Sequence, residues 1–220
     1  MKLKCTAVSD LHNSFPELTG GDVLIIAGDL TTQGSVDELK VARKWVESEG
    51  VKYKHILFTP GNHDVIFEID RDLAEKTLGL KAYVCEVAEI EGVRFFLSPY
   101  SLMWGSWSFQ KSEANMSNLV YSWPKDVDVI VSHGPCRHIR DFTGREHTGS
   151  TSLLWHLDKC IDEGRLKLFI NGHIHESFGG SFHRDVPVIN VAQAGSYHDF
   201  LKTDPYPIDF VIEDGKVSFL

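Results

Sequence analysis

Short apolar runs that stop abruptly at polar residues dominate the hydrophobic pattern of this chain. Residues 22–27 (DVLIIA) and 127–131 (VDVIV) are almost continuously apolar, which is typical of strands covered on both faces. The remaining runs are shorter or alternate imperfectly between apolar and polar positions. Together the runs predict strands over 3–8, 22–27, 55–58, 83–88, 93–97, 127–131, 166–170, 186–191, 210–212 and 217–220, with 83–88 and 93–97 joined as a hairpin.

Helical periodicity appears in three places between these runs. Ser35 and Glu38 form a capping-box pattern, and apolar residues follow at helical spacing up to Gly50. A second helix is expected around 71–78, and a third over 153–161. Strands that alternate with helices indicate an α/β layering, in which ligands gather beyond the carboxyl ends of the strands.

Two stretches fit this pattern poorly. Residues 100–121 carry several aromatic side chains among polar ones with no clean period, which predicts a loop followed by a short helix. Its aromatic residues are interpreted as a cover over the core, with a substrate rim as the alternative. Residues 178–180 (FGG) predict a flexible connection. No repeat, low-complexity segment or linker divides the chain, so we expect a single domain over 1–220.

The stretch 59–64 (TPGNHD) carries the clearest candidate chemistry. It follows the apolar run 55–58, and a Pro-Gly pair then turns the backbone sharply. Asn62 offers a neutral oxygen ligand, and His63 offers an imidazole, a side chain suited to proton transfer. Asp64 supplies a carboxylate that could orient this imidazole.

Four other predicted strands also end in Asp or His. Because strand ends gather at one edge of an α/β fold, we expect the polar residues there to converge. Asp10 and His12 lie two residues apart, so in an extended segment they would face the same way. The convergent set is Asp10, His12, Asp29, Asn62, His133, His173 and His175.

Seven oxygen and nitrogen donors without sulfur suggest a pair of metal ions. They are too many for one tetrahedral zinc and suit two divalent cations, with Asp29, alone on its strand end, as the natural bridge. Two cations about 3.5–4 Å apart can bind a phosphate between them and make a hydroxide nucleophile from a shared water. Phosphoryl transfer depends mainly on positioning and charge neutralisation, so such a site further needs only a proton donor for the leaving oxygen. His63 fits that role.

The composition of the chain argues against some classes of binding partner. The formal charge of −9 and the lack of a Lys or Arg block argue against binding of duplex nucleic acid. Four widely spaced cysteines predict reduced thiols and a cytoplasmic location. No apolar run approaches the roughly 20 residues that span a bilayer, and the N-terminal apolar segment is too short for a signal peptide, so no membrane association is expected.

Five motifs occur in a fixed order along the chain: DLH (10–12), GDL (28–30), GNHD (61–64), SHGP (132–135) and GHIH (172–175). Together they resemble the motifs of the calcineurin-like metallophosphoesterase superfamily. The residues RDF (140–142) and NGHIHESFG (171–179) are similar to those of the small metallophosphoesterase-domain phosphodiesterases of vertebrate brain and prokaryotes. Some vertebrate members lack the first histidine of GHIH, whereas His173 is present here.

The resemblance implies a two-sheet β-sandwich flanked by helices, with a dinuclear metal site. One metal would be held by Asp10, His12, Asp29 and His175, and the other by Asp29, Asn62, His133 and His173. His63 would contact the phosphate and protonate the leaving group, with Asp64 orienting it. We expect manganese first, with iron, zinc or nickel as alternatives.

The substrate is expected to be a small phosphate ester, bound by Asn62, His63 and Arg140. Arg140 lies in a polar segment, 136–148, with His138, Arg145 and His147. These side chains either line the phosphate entrance or are solvated loop charges. Asn190 and Gln193 are candidates for supporting the metal ligands from behind. His55, His156, His183 and His198 are interpreted as structural.

Three functions remain open at this point. The first is a metal-dependent phosphoesterase, and specifically a phosphodiesterase, in which a hydroxide attacks phosphorus in line. The second is a nuclease of the same superfamily, against which the acidic balance argues. The third is a catalytically silent scaffold that binds a protein partner, although this chain retains the full ligand set. The physiological substrate and the oligomeric state are not specified by the sequence.

Overall fold

The computed structural model describes residues 2–194 and 205–220. Within these ranges the α-helices are α1 (Val36–Gly50), α2 (Ile66–Ile69), α3 (Arg71–Leu78), α4 (Glu113–Tyr121) and α5 (Thr151–Asp162). The strands are β1 (Lys2–Val8), β2 (Gly21–Ala27), β3 (Tyr53–Thr59), β4 (Glu86–Ile90), β5 (Val93–Ser98), β6 (Ser101–Leu102), β7 (Gln110–Lys111), β8 (Val129–Ser132), β9 (Leu168–Asn171), β10 (Gly179–His183), β11 (Val186–Asn190), β12 (Ile208–Glu213) and β13 (Lys216–Phe219).

Two mixed sheets form the centre of the fold. The first has the order β13-β12-β1-β2-β3, in which β1, β2 and β3 are parallel. The second has the order β10-β11-β9-β8-β5-β4, in which β5, β8, β9 and β11 are parallel. A third, two-stranded sheet pairs β6 with β7. The second sheet has an antiparallel strand at each outer edge, β10 and β4. The first sheet has antiparallel strands at one edge, β12 and β13, and ends at β3 on the other, where Phe58 forms a single bridge with Ala82.

The core consists of three apolar layers. Alternate residues of the parallel strands, such as Val23 and Ile25, point between the two sheets and pack against Phe95 and Ile170. The intervening residues of the first sheet pack beneath helices α1 and α3, and those of the second sheet pack beneath α4 and α5. Each sheet is therefore buried on both faces, which explains the continuous apolar runs in the sequence.

The predicted fold class, a two-sheet sandwich flanked by helices, is confirmed. The capping box at Ser35 and Glu38 is confirmed, because each residue's side chain hydrogen bonds to the other's backbone. The predicted helix over 71–78 is also confirmed, and Asp70 caps it by accepting a hydrogen bond from Leu73 N.

Two local predictions are wrong. The strand predicted to start at residue 83 starts at Glu86, because Tyr83 N donates to Phe58 O and Cys85 adopts a positive φ that bends the chain. The flexible connection predicted at 178–180 leads directly into strand β10, in which Gly179 and Gly180 pair with Asn190 and Ile189. Among the described residues, no helix combines the length and apolar character needed to cross a membrane.

Candidate metal centre

The carboxyl ends of five strands from both large sheets meet at one rim. The first sheet contributes the residues after β1, β2 and β3, and the second contributes those after β8 and β9. Main-chain hydrogen bonds connect these loops, with Asp10 N donating to Gly28 O at 2.9 Å and Gly172 N donating to His133 O at 3.1 Å. The polar strand ends identified in the sequence thus come from two sheets that face each other.

Backbone conformations at this rim are unusual. Asp10, His12, Asp29 and His173 have φ values of 53°, 43°, 52° and 68°, in the left-handed region that L-residues seldom occupy. Such strain persists where surrounding structure enforces it, and it is concentrated at functional sites. The prediction that Asp10 and His12 lie in an extended segment is therefore wrong, although their two side chains do converge.

Among the described residues there are three overlapping groups of candidate metal ligands, and within each group the ligand atoms lie within 4.8 Å of one another. They are Asp10, His12 and His175; His12, Asp29 and His63; and Asp29, His133 and His173. His12 of the first group lies next to Asp29 of the third, with 3.9 Å between His12 Nε2 and Asp29 Oδ2. The structure therefore brings together six of the seven predicted ligands in these groups, and their role as ligands stays a prediction.

Asp10 is buried and accepts hydrogen bonds from three directions. Ser9 Oγ and His173 N donate to Oδ2 at 2.6 and 2.9 Å, and His175 Nε2 lies 3.2 Å from Oδ1. Burial would raise the pKa of Asp10, but the hydrogen bond and charge of His175 lower it well below its ordinary value. Asp10 is therefore a carboxylate, which is the form that binds a cation.

Asn62, the seventh predicted ligand, faces His133 beside Asp29. His133 Nε2 lies 3.0 Å from Asn62 Oδ1 and 3.4 Å from Asp29 Oδ2. On the other side of the ring, Nδ1 lies 3.0 Å from Ala27 O. A carbonyl only accepts hydrogen bonds, so Nδ1 carries a proton. Nε2 then faces two oxygens, an arrangement that a second ring proton or a cation among the three atoms would stabilise.

The histidines differ in how they respond to this surrounding charge. Burial would lower the pKa of His133, but the charge of Asp29 and its hydrogen bond raise it to about 9. His173 has its pKa lowered to about 4 by burial and by repulsion from His133. Burial also lowers the pKa of His12, against the attraction of Asp29 and Asp10. For His175, burial is outweighed by Asp10, which raises its pKa.

Two glycines allow the ligand atoms to approach one another. A Cβ added at Gly61 would lie 2.2 Å from Asp29 Oδ1, and one added at Gly172 would lie 2.3 Å from Asp10 Oδ2. Only glycine fits at such distances without moving the carboxylates. The buried carboxylates, the imidazole that faces two acceptors and these close approaches together fit divalent cations held by oxygen and nitrogen.

His63 is partly exposed and lies next to this centre. Its main-chain N donates to Asp29 Oδ1 at 2.7 Å, and its Nδ1 lies 2.7 Å from Thr32 O. Because the carbonyl can only accept, Nδ1 carries a proton and Nε2 is the nitrogen left for other chemistry.

The prediction that Asp64 orients the imidazole directly is wrong. Asp64 is buried and accepts hydrogen bonds from Thr31 N, Thr31 Oγ1, Leu30 N and Gly61 N. It thereby ties the loop after β2 to the loop after β3, and Thr32 O holds the ring instead. Burial and the charge of Asp29 raise the pKa of Asp64 to about 6, against these hydrogen bonds.

Arg140 lies beside the loop that carries His173 and His175. Asn190 Nδ2 is within 3.5 Å of Arg140 O and donates to Gly172 O and Ile174 O at 3.2 and 2.9 Å. Arg140 Nη1 donates to Phe178 O at 3.3 Å. Burial lowers the pKa of Arg140, and within the described part of the chain no carboxylate pairs with this guanidinium.

The remaining candidates divide between supporting and structural positions. Asn190 supports the GHIH loop as predicted, whereas Gln193 donates to Val191 O and Tyr206 O instead. His147 Nδ1 lies 2.6 Å from Oδ1 of the buried Asp141, so this ring nitrogen is paired with a carboxylate of its own segment, 136–148.

Three of the four histidines interpreted as structural, His55, His156 and His183, belong to none of the ligand groups. His156 is buried against Trp123, and its Nε2 lies 3.4 Å from Cys160 Sγ. His183 Nε2 lies 2.8 Å from Asp158 Oδ1. His198 lies outside the described residues.

The sequence pattern did not predict that Trp107 reaches the candidate site. Its indole packs on His63 with ring centroids 4.0 Å apart and the planes inclined by 36°. His12 contacts the same imidazole edge-on, at 4.7 Å between centroids and 90° between planes. The aromatic richness of 100–121 was the available signal, but no periodicity identified which aromatic residue would reach the site.

Known proteins resemble this chain in sequence. UPF0046 protein K07C11.7 of Caenorhabditis elegans is 30% identical over 208 residues, covering 87% of this chain and 70% of that protein. Metallophosphoesterase domain-containing protein 1 of Homo sapiens is 27% identical over 203 residues, covering 78% and 60%. A protein of Emericella nidulans named "Probable rhamnogalacturonate lyase C" is 30% identical over 197 residues, or 80% of this chain, which spans only 17% of that protein's length.

The fold is also shared with solved structures. A dimetal phosphatase from Danio rerio superposes with a TM-score of 0.56 over 96% of this chain and 93% of that one, at 10% identity. The sequence model of the calcineurin-like phosphoesterase family matches residues 3–177, which include all seven predicted ligands. This family is metal-dependent and acts on phosphate esters. The chain belongs to the calcineurin-like phosphoesterase family.

Proposed function

We propose that this protein is a phosphodiesterase that uses two divalent cations, with manganese as the first candidate. The observation that carries the proposal is the position of Asp29. Its Oδ2 lies 3.9 Å from His12 Nε2 on one side and 3.4 Å from His133 Nε2 on the other. A carboxylate placed between two groups of imidazoles suits a ligand shared by two cations.

When bound, such a cation pair supplies neutralising charge for the phosphate and an activated water as nucleophile. Asp10, His12, Asp29 and His175 would hold one cation, and Asp29, Asn62, His133 and His173 the other. Ser9, Asp64 and Asn190 would keep these ligands in place through the hydrogen bonds described above.

His63 would act as the general acid. With Nδ1–H donated to Thr32 O, the proton available for catalysis is the one on Nε2 of the imidazolium. As the bond between phosphorus and the leaving oxygen breaks, this proton moves to that oxygen. The ring is then neutral and still bound to Thr32 through Nδ1.

Arg140 and Asn62 would position the phosphate. A partly buried guanidinium without a carboxylate partner in the described chain is available to an anion, and hydrogen bonds to charged groups are stronger than those between neutral groups. Asn62, whose Oδ1 lies 3.0 Å from His133 Nε2, would place the phosphate beside His63. The four cysteines are free thiols, which supports the proposal of a cytoplasmic enzyme.

The proposal is tested by hydrolysis of bis(p-nitrophenyl) phosphate against p-nitrophenyl phosphate. Metal-stripped protein receives Mn, Ni, Zn or Mg separately, and His63→Ala protein serves as the matched control. We expect metal-dependent hydrolysis with preference for the diester. Preference for the monoester would overturn the diesterase assignment, and hydrolysis of neither substrate with any metal would favour the silent scaffold. Degradation of single-stranded DNA or RNA would instead favour the nuclease.

A further inference from the structure

Trp107 packs against His63, the proposed general acid. Its indole is partly exposed, and it contacts the face of His63 at 4.0 Å between ring centroids. His12 also contacts His63, edge-on, at 4.7 Å between ring centroids. Among the contacts of the described residues, Trp107 Nε1 makes no hydrogen bond, so the indole is held by packing and by its chain segment.

The segment that carries Trp107 is fixed to the body of the protein. Strands β6 and β7 pair at Ser101–Gln110 and Leu102–Lys111, which closes the loop between them. Phe109, two residues after Trp107, is buried, and its N donates to Glu68 Oε2 of α2 at 3.1 Å. A ring placed by these contacts is pre-organised, which reduces the entropic cost of binding a ligand against it.

The chemistry of the proposed reaction places the leaving group near this ring. A proton donor must lie within hydrogen-bond reach of the atom that it protonates, so the leaving oxygen would lie beside His63 Nε2. The first atoms attached to that oxygen would then lie within a few ångströms of the imidazole. Trp107 packs on this imidazole at 4.0 Å between ring centroids, so its indole also lies near the expected position of the leaving group.

We propose that Trp107 is a specificity-determining residue that receives a planar aromatic leaving group of a phosphodiester. This inference rests on the proposed function and on the role of His63 in it. A flat ring against an indole gains buried apolar area and stacking energy, whereas a small alkyl group gains little. Both an aryl group and a nucleobase have the required planar ring, so both sources enter the test.

The test compares leaving groups in wild-type and variant protein loaded with the same metal. The substrates are methyl p-nitrophenyl phosphate, methyl 2,2,2-trifluoroethyl phosphate and the methyl ester of adenosine 5′-monophosphate, with products identified by NMR. The variants are Trp107→Ala, Trp107→Phe and, as the matched control, Trp104→Ala. Trp104 is an exposed tryptophan in the same loop and makes no described ring contact with the site.

We expect Trp107→Ala to lower kcat/KM for the p-nitrophenyl diester by about 10-fold, the effect of losing one aromatic stack. Trp107→Phe should retain most of the activity, and the trifluoroethyl diester should be unaffected by either variant. A parallel loss for release of adenosine would identify nucleobases as a source, and its absence would restrict the subsite to aryl groups. Inhibition by inorganic phosphate and metal content should not change, which separates this role from one in the metal site.

Two results would overturn the inference while leaving the proposed function intact. One is an equal loss for aryl and trifluoroethyl leaving groups, which would mean that Trp107 positions His63 and does not select substrates. The other is full activity of Trp107→Ala on every diester. Hydrolysis of no diester by the metal-loaded wild type would instead contradict the proposed function, and this inference would fall with it.

Discussion

The main-chain N of His63 donates a 2.7 Å hydrogen bond to Asp29 Oδ1. The proposed proton donor and the proposed shared ligand are therefore fixed relative to each other by a contact that involves neither the imidazole nor Asp29 Oδ2. Those two groups remain available for catalysis and for binding cations. Removing the imidazole should consequently leave the metal centre in place, which makes the two roles separable by mutation.

His63→Ala should lower kcat by about 10²–10⁴-fold, the usual contribution of a positioned general acid. The loss should be smaller for p-nitrophenyl diesters than for alkyl diesters, because p-nitrophenolate leaves readily without protonation. Metal content, measured by mass spectrometry after dialysis, should stay near that of the wild type because the substitution keeps the main-chain donor. Equal loss of metal and turnover would contradict the acid role and would make His63 a ligand.

Gly61→Ala should damage the centre although it removes no ligand. The new Cβ would lie 2.2 Å from Asp29 Oδ1 and 2.5 Å from Asp29 N, so the backbone itself must move, at a cost of about 1–3 kcal/mol. Metal titration should show a lower metal affinity, and urea unfolding should show a lower free energy of unfolding. The control is Gly180→Ala, whose Cβ would meet Ile189 Cγ2 at an ordinary 3.8 Å. Wild-type metal affinity in Gly61→Ala would show that this close approach is unimportant.

Metal-free protein should lose stability as the pH rises from about 6.5 to about 9. Burial lowers the pKa of His133, but Asp29 raises it overall from 6.5 to about 9. The folded protein thus binds this proton more tightly than the unfolded chain does. The stabilisation is fully present below about pH 6.5 and is lost as the pH passes through about 9.

Urea unfolding in the presence of a chelator measures this pH dependence. The free energy of unfolding should fall across the window in the wild type, and the slope should flatten in His133→Gln. A free energy that rises from about pH 6.5 to about 9 would contradict the assigned interaction between His133 and Asp29.

Arg140→Ala should weaken inhibition by inorganic phosphate by about 10-fold or more, as expected for the loss of a charge-assisted hydrogen bond. Metal content should not change, because Arg140 is not among the proposed ligands. Arg145→Ala is the matched control, since Arg145 is exposed in the same segment and its described hydrogen bond is made by its main chain to Thr143. Equal effects of the two variants would mean that the loop charges act only through the general field.

The sequence predicted the strand ends well because burial on both faces leaves a continuous apolar signal that stops where the chain meets the rim. Asp29 and His133 could be assigned to that rim for this reason. The left-handed backbone at Asp10 and His12 could not be foreseen. It accompanies hydrogen bonds from the main-chain N atoms of these two residues to the carbonyls of Gly28 and Asp29, which follow the neighbouring strand β2.

Other features were hidden because they depend on tertiary contacts. The partner of His63 Nδ1 is a main-chain carbonyl, that of Thr32, and any residue type could supply it. Asp64 was close in sequence to His63, but its carboxylate is taken by the amides of the preceding loop. Trp107 reaches His63 from the loop between β6 and β7, which has no periodic pattern.

The number and position of bound cations test the central claim most directly. Crystals of manganese-loaded wild type and Asp29→Asn would be measured by anomalous diffraction, with metal content determined on the same samples. The account predicts two anomalous peaks about 3.5–4 Å apart on either side of Asp29 in the wild type, and loss of metal together with activity in Asp29→Asn. A single peak, peaks away from Asp29, or two tightly held ions in Asp29→Asn would contradict it.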